Sequence, residues 1–375
     1  MRATPARHAF VDYSKGICII LVVLMHATLG VEKAAGTPTW LHGFIDWARP
    51  FRMPDFFFIS GLFLASRIDR PWRGFLDSKV VHFGYFYLLW LTIQVLFRAP
   101  ALMPDGGVAA VMGAWLAGLV EPFGTLWFIY MLAVFFVAIK LLQPVSALLV
   151  FTAGALLQMS HIDTGWLIVD EFASRFVYIY AGYKTAPAVF DFARSIAARP
   201  VPVVIAALLA WACVNALMVQ TGVSTATGVG LLLGFVGTAA VIATGVLLSK
   251  TRLAAPLRYC GKNSIVIYLA FSLFMAATRT LLLRFHFIGD LAGIALLSTS
   301  AGVVGPMLLF WVTRGTRLGF LFQRPDWARL PPPPVDVAGR LPGPRVAATA
   351  PEISGVATTA GSWKDLAFRF VTRER

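Results

Sequence analysis

The chain alternates between long apolar stretches and short polar segments. Many of the apolar stretches in its 375 residues are long enough to cross the ~30 Å hydrocarbon core of a membrane as helices. This pattern predicts an all-α, polytopic membrane helix bundle with about ten transmembrane helices. The predicted spans cover residues 15–32, 50–67, 79–98, 124–141, 145–159, 172–189, 201–219, 228–249, 262–283 and 290–313. A further apolar stretch, 108–119, is short for a span, so we expect it to lie at the membrane interface.

Composition and charge support a lipid bilayer as the main partner. Hydrophobic residues make up 58% of the chain and charged residues 13%. The net charge of +14 does not indicate nucleic acid, because the basic residues lie in short loops between spans. Eighteen Lys and Arg fall in segments predicted to be cytoplasmic, seven in segments predicted to be outside and seven in the C-terminal tail. This asymmetry predicts a multi-pass protein of the cell (inner) membrane with both termini in the cytoplasm.

The C-terminal segment differs in composition from the spans. Residues 326–375 include a proline run at 331–334 and continue rich in Pro, Ala, Gly and Thr. Such a segment buries too little apolar surface to fold, so we expect a disordered cytoplasmic tail after a membrane domain of residues 1–325. Within the tail, apolar residues recur at helical spacing over 362–373, which predicts either an amphipathic helix on the membrane surface or a frayed end.

Three ionisable residues lie along the first predicted span. At ~100° per residue, Lys15 lies ~20° and Asp12 ~40° from His26 around the helix, so the three share a face. His26 is also ~16 Å deeper along the helix than Lys15. An ionisable residue at that depth is a functional candidate. Two structural alternatives stay open: Lys15 anchors the helix at the interface, and His26 is a neutral histidine bonded to a neighbouring carbonyl.

The second predicted span begins with a charged pair. Arg52 and Asp55 are neighbours at i, i+3 on a helix. Counting helix rise from Arg67 at the cytoplasmic edge places Asp55 at the depth of His26, where a carboxylate would orient and charge the imidazole. The alternative is a local ion pair between Arg52 and Asp55 that fixes the outer end of the helix.

Four motifs carry a resemblance to a known family. They are Lys15 and His26 separated by ten residues and preceded by Asp12; the Met-Pro-x-Phe-Phe-Phe-x-Ser-Gly pattern from Met53 to Gly61; Leu126-Trp127-Phe128 with Tyr178-Ile179-Tyr180-Ala181-Gly182-Tyr183; and Gly261-Lys262-Asn263-Ser264-Ile265-Val266-Ile267-Tyr268-Leu269. Over residues 8 to about 315 the chain resembles the acyltransferase 3 family of integral-membrane acyltransferases. It departs from the family pattern at Lys79-Val80-Val81-His82, where Arg-x-x-Arg is usual, at Asp55, where an apolar residue is common, and at Phe271, where many members have histidine.

The resemblance implies transfer of an acyl group to a hydroxyl at the membrane. The expected donor is acyl-CoA, a co-substrate and not a bound cofactor, and the expected acceptor is a glycan or lipid-linked sugar. His26 is the expected general base, with Asp12, Lys15 and Asp55 as the other catalytic candidates. The predicted substrate-binding residues are Arg52, Trp127 and a cytoplasmic cluster of Arg67, Arg70, Arg73, Lys79 and His82. The cluster either binds the phosphates of CoA or reflects ordinary positive-inside charge, and Trp127 either stacks on a sugar or anchors the interface.

Two other classes of function compete with acyl transfer. Intramembrane His, Asp and Arg among ten spans also describe a proton-coupled secondary transporter of a small or glycan-like solute. Against that class, the two halves show no repeat, and the ionisable groups concentrate in the first three spans. A flippase-like or scaffolding protein without catalysis is the third possibility.

Overall fold

The computed structural model of the chain describes residues 9–251, 253–285 and 288–331. Most of the predicted tail, including the predicted amphipathic helix at 362–373, lies outside these ranges. The regular secondary structure of the described residues is entirely helical. The α-helices in chain order are α1 (Ala9–Ala35), α2 (Leu41–Leu62), α3 (Trp72–Leu76), α4 (His82–Val120), α5 (Trp127–Leu141), α6 (Ala147–Met159), α7 (Leu167–Lys184), α8 (Ala186–Ala198), α9 (Val201–Gln220), α10 (Val229–Ser249), α11 (Ala255–Lys262), α12 (Ser264–Phe285) and α13 (Leu291–Thr313).

The helical membrane class predicted from the sequence is confirmed. Within the described ranges, seven helical segments are long and apolar enough to cross a membrane, and α6 is a shorter apolar helix. The count of ten spans stays a prediction. Both α2 and α7 carry several charged residues, and α6 has only 13 residues, so their length and composition alone do not mark them as spans.

The second helix begins nine residues earlier than the predicted span. It starts at Leu41 and runs through Pro50 and Pro54 to Leu62. The sequence misled here because the charged residues before Arg52 and the two prolines resemble a loop and a helix start. Proline is tolerated inside membrane helices whose neighbours satisfy the freed carbonyls. Arg52 therefore lies in the middle of α2 and not at its end.

The interfacial placement of 108–119 stays a prediction, and the structure shows how this stretch packs. The chain reverses at Gly106 and Gly107, where Gly107 has φ of +60°. The second half of α4 then lies antiparallel against its first half, and Trp115 Nε1 donates to Thr92 Oγ1 at 3.0 Å. This stretch and α5 together form one apolar segment, Gly106–Leu141, which is long and apolar enough to cross a membrane.

Two glycines set the close crossing of α2 and α7. A Cβ on Gly182 would fall on the backbone carbonyl of Phe58, and one on Gly61 would fall on the carbonyl of Ile179. Small residues at such positions let membrane helices approach closely. The crossing holds together the two helices that supply the arginines of the cavity described below.

The chain after α13 folds back onto the start of α4. Arg324 Nη2 contacts Asp77 Oδ2 at 2.7 Å, and the Leu330 amide donates to Asp77 Oδ1 at 2.8 Å. Trp90 Nε1 donates to the Leu321 carbonyl at 3.0 Å. Asp77 is thus the common acceptor that holds residues 324–330 in place.

We expect Asp77→Asn to release this segment. The substitution removes a charge-assisted contact to Arg324, a side chain that is only 8% exposed, and such contacts contribute about 1.5–3 kcal/mol. Cleavage of detergent-solubilised protein by chymotrypsin after Trp327 should therefore accelerate at least ~10-fold. Asp326→Asn is the matched control, because Asp326 is 92% exposed and forms an ion pair with Arg329 instead of holding Arg324. Equal cleavage rates in the two variants would show that Asp77 does not hold the segment.

Candidate functional site

The register between α1 and α2 determines which polar groups meet. Lys15 Nζ lies 4.2 Å above the ring of Phe63, so the two helices run antiparallel with these residues level. His26 is eleven residues along α1 from Lys15, and Arg52 is eleven residues back along α2 from Phe63. At ~1.5 Å per residue the two steps are equal, so Arg52 is the residue level with His26.

His26 and Arg52 line a cavity of about 190 Å³ inside the bundle. At ~30 Å³ for each water, that volume is about six water molecules, enough for one small polar group of a substrate. The walls come from α1, α2, α5, α7, α12 and the turn before α5. The lining residues are Val22, Met25, His26, Arg52, Met53, Phe56, Thr125, Trp127, Phe128, Glu171, Arg175 and Tyr268.

The imidazole of His26 is half-buried and packs on an aromatic ring. Its centroid lies 5.5 Å from that of Phe271 on α12. Phe271 stands where many members of the resembling family have histidine, so the departure noted in the sequence falls beside His26. In this chain the neighbour is apolar, and the face of the imidazole away from Phe271 is left for the cavity.

Tyr268 joins two of the sequence motifs at the cavity wall. Its hydroxyl donates to the Thr125 carbonyl and accepts from the Phe128 amide, the latter at 3.1 Å. Phe128 in turn stacks on Phe56 with ring centroids 4.4 Å apart. The motifs around Phe56, Trp127 and Tyr268 thus meet at one place, which their separation in sequence did not reveal.

Two guanidinium groups face the cavity from different helices. Arg175 on α7 pairs with Glu171, with Nε 3.1 Å from Oε2, and both side chains are about one quarter exposed. Arg52 on α2 is 7% exposed, and its Nε and Nη1 have no hydrogen-bond partner among the residues that the structure describes. The charged groups that interact electrostatically with Arg52 are Arg175, Arg49 and Asp46.

Asp55 does not make either of the predicted contacts. It is fully buried, and neither carboxylate oxygen accepts a hydrogen bond from His26 or Arg52. It lies near Thr238 and Cys18, away from the cavity lining. The depth estimate failed because α2 ends at Leu62, so helix rise cannot be counted from Arg67.

We expect Asp55→Asn to change the transfer rate less than tenfold, because Asp55 makes no hydrogen bond to the imidazole. The ligand-free protein should melt at the same temperature or higher. A buried carboxylate without a cationic partner lowers the free energy of unfolding more than an amide of the same size does. Transfer rate and melting temperature are measured on the same preparation. A rate loss of a hundredfold at unchanged stability would restore the predicted role of Asp55 at the imidazole.

The other predicted site residues lie toward the opposite end of α1. Asp12 is buried and pairs with Arg258 of α11, with Oδ2 and Nε 3.6 Å apart. Lys79 lies within electrostatic range of Lys15, Arg67 and Arg70, and its Nζ is 4.3 Å above the Phe136 ring.

Arg73 and His82 complete the placement of the predicted residues. Arg73 is exposed on α3, and the His82 ring packs against Phe83 and Phe86 near Arg324. The structure therefore separates the predicted catalytic set. His26 lines the cavity, whereas Asp12 and Lys15 lie on α1 about 16 Å or more along the helix from it. Lys15 joins the predicted basic cluster.

Sequence reasoning missed four lining residues: Thr125, Glu171, Arg175 and Tyr268. Arg175 was counted only as a basic residue near the outer end of a span, and Glu171 was not considered. The only signal for them was their i, i+4 spacing on α7. Tyr268 lay within a quoted motif without an assigned role. Among the described residues, no group of three His, Cys, Asp or Glu is arranged to hold a metal ion.

Comparison with known proteins bears on this site. A family model described as an acyltransferase domain matches residues 8–313. The chain is also similar to the inner membrane protein YcfT of Escherichia coli strain K12, with 27% identity over 188 residues. That alignment covers 43% of this chain and 51% of the other protein, so the match spans about half the length of that relative. No solved structure gives a significant match.

Proposed function

Because the chain belongs to the acyltransferase 3 family, we propose that it transfers an acyl group from acyl-CoA to a hydroxyl of a glycan or lipid-linked sugar in the cavity beside His26. One observation carries the proposal. The histidine of the Lys15 to His26 motif lines an internal cavity together with Arg52 and the aromatic ring of Trp127. The titratable base can take the proton of an acceptor hydroxyl, and the cation and the aromatic ring can position a polar substrate group and a sugar.

The proposed reaction uses His26 as both base and acid. Neutral His26 takes the proton of the acceptor hydroxyl while its oxygen attacks the thioester carbonyl and forms the new C–O bond. The tetrahedral intermediate then collapses, the C–S bond breaks, and the imidazolium gives the proton to the departing CoA thiolate. The products are an ester and free CoA, and His26 returns to its neutral form.

The basic cluster at the other end of α1 suits the donor. Lys15, Arg67, Arg70 and Lys79 bring four positive charges together, and Arg73 is exposed nearby in sequence. Guanidinium and ammonium groups bind phosphate through charge-assisted hydrogen bonds. With the phosphates of CoA in this cluster, the pantetheine arm would extend along α1 for the ~16 Å between Lys15 and His26.

The orientation that this proposal requires places the basic cluster in the cytoplasm of a multi-pass inner membrane protein, with both termini on the same side. Arg70 and Asp163 are exposed. Arg70 precedes α4 and Asp163 follows α6, two helices that both run from the cytoplasm outward in the ten-span prediction. In a variant lacking Cys18, Cys213 and Cys260, a cysteine at position 70 should react with an impermeant maleimide only from the cytoplasm. A cysteine at position 163 should react only from outside. Labelling of both from one side would contradict the orientation.

Purified protein in proteoliposomes distinguishes transfer from transport. The vesicles receive labelled acyl-CoA together with extracted membrane lipids and glycans as acceptors. Label that moves into an acceptor in a hydroxylamine-sensitive bond supports the acyltransferase. Label or solute that accumulates in the vesicles unmodified would support the secondary transporter.

A further inference from the structure

Arg52 carries a charge that the described residues do not neutralise. The residue is only 7% exposed, and two of its guanidinium nitrogens lie buried without an acceptor. A buried ion without a partner is among the most costly arrangements in a protein, and more so at membrane depth. Such a group is retained where a ligand supplies the missing acceptor.

No carboxylate in or near the cavity wall is free to neutralise Arg52. Glu171 is the one carboxylate among the lining residues, and it is already paired with Arg175. Asp46 pairs with Arg49 and His42 outside the cavity, and Asp55 makes no hydrogen bond to Arg52. With His26 neutral, the lining of two arginines and one glutamate has a net charge of +1.

We infer that this cavity selects an anionic substrate, with Arg52 and Arg175 binding a phosphate or carboxylate group next to the hydroxyl that His26 deprotonates. The inference rests on the proposed function and names the class of acceptor: a phosphorylated or acidic sugar rather than a neutral one. Guanidinium groups match both oxyanions through paired N–H donors. The same two arginines would also bind a carboxylate at the far end of a dicarboxylic acyl group. The test below distinguishes an anion on the acceptor from an anion on the acyl group.

The geometry suits such a group. The cavity volume of about 190 Å³ admits a small oxyanion and part of a sugar ring, and Trp127 lines the same space. The Gly61 and Gly182 crossing holds α2 against α7, which brings Arg52 and Arg175 to one cavity. The anion would sit between two donors on different helices, so binding should also bridge α2 and α7.

The test measures binding without acyl transfer. Purified protein in nanodiscs is titrated, with no acyl-CoA present, with glucose 1-phosphate, inorganic phosphate, succinate and neutral methyl glucoside. The anionic probes should bind more tightly than methyl glucoside, and Arg52→Gln should weaken them about tenfold or more, the effect of losing a charge-assisted contact. Arg175→Gln should weaken them as well.

Two controls keep folding and catalysis apart from binding. Arg49→Gln removes an arginine of the same helix that is 70% exposed and outside the cavity lining, so it should leave the affinities unchanged. Ligand-free Arg52→Gln should melt no lower than the native protein, because it removes an unpaired buried charge. His26→Ala should still bind the anions, so failure of the proposed transfer reaction would not affect this result.

The source of the anion is settled by comparing donors. Succinyl-CoA, but not acetyl-CoA, could compete with glucose 1-phosphate in the native protein and lose that competition in Arg52→Gln. The anion would then belong to the acyl group, which would contradict the inference. If neither donor competes through Arg52, it belongs to the acceptor, as inferred. Equal affinity for glucose 1-phosphate, phosphate, succinate and methyl glucoside, or unchanged affinities in Arg52→Gln, would overturn the inference.

Discussion

His26→Ala should reduce acyl transfer by about 10²- to 10⁴-fold, the contribution of a general base, while the protein keeps its fold. The imidazole lines the cavity and packs on Phe271, so its removal leaves a small space without disturbing a backbone contact. The rate is measured as label transferred from acyl-CoA at saturating donor. Melting temperature and elution from size exclusion verify the fold of the same preparation.

Leu29→Ala is the matched control for this variant. Leu29 is on the same helix, is 39% exposed and does not line the cavity, so its truncation should leave transfer unchanged. His26→Asn tests the chemistry more narrowly, since an amide keeps polarity without accepting a proton at neutral pH. A loss of less than tenfold in well-folded His26→Ala would remove this residue from the mechanism.

Gly182→Leu should destabilise the protein by about 3 kcal/mol or more, since inserted side chains typically cost 1–3 kcal/mol and here the obstacle is backbone. A Cβ at this position would fall on the carbonyl of Phe58, so α2 and α7 would have to separate. Separation also moves Arg52 away from Arg175, and transfer should fall with stability. The variant should show a lower melting temperature and a lower rate per folded molecule.

Gly43→Leu provides the comparison for this substitution. Gly43 is in the first turn of α2, and no atom lies within 4 Å of a Cβ built there. The same change of side chain should therefore leave stability within about 0.5 kcal/mol, as for exposed positions elsewhere. If both leucine variants melt alike, the close crossing of α2 and α7 does not determine stability.

The helical class of the fold could be predicted from sequence because apolar length and charge asymmetry are local properties. Where helices begin and end was harder to predict. The length of 108–119 alone did not reveal that, after a reversal at Gly107, it belongs to a longer apolar segment. Arg52 was placed at a helix end because Pro50 and Pro54 resemble a start, yet the helix continues through both.

The candidate site shows the same division between local and long-range information. His26 and Arg52 were identified from their own helices, and the structure brings both to one cavity. Asp55 was assigned to His26 from depth alone. Because α2 ends a few residues before Arg67, the depth estimate was wrong, and Asp55 lies near Thr238 instead. Arg175 and Tyr268 come from distant segments, and single-sequence reasoning has no access to the packing of α7 and α12 against α1.

The most direct test of the central claim is mass spectrometry of envelope glycans and lipid-linked sugars from cells that lack this protein and are complemented with either the native chain or His26→Ala. The two forms must be expressed in the membrane at equal levels. We predict an acceptor whose mass rises by one acyl group, in a hydroxylamine-sensitive bond, only in cells with the native chain. The same acylated acceptor at equal abundance with His26→Ala would contradict acyl transfer at the His26 cavity.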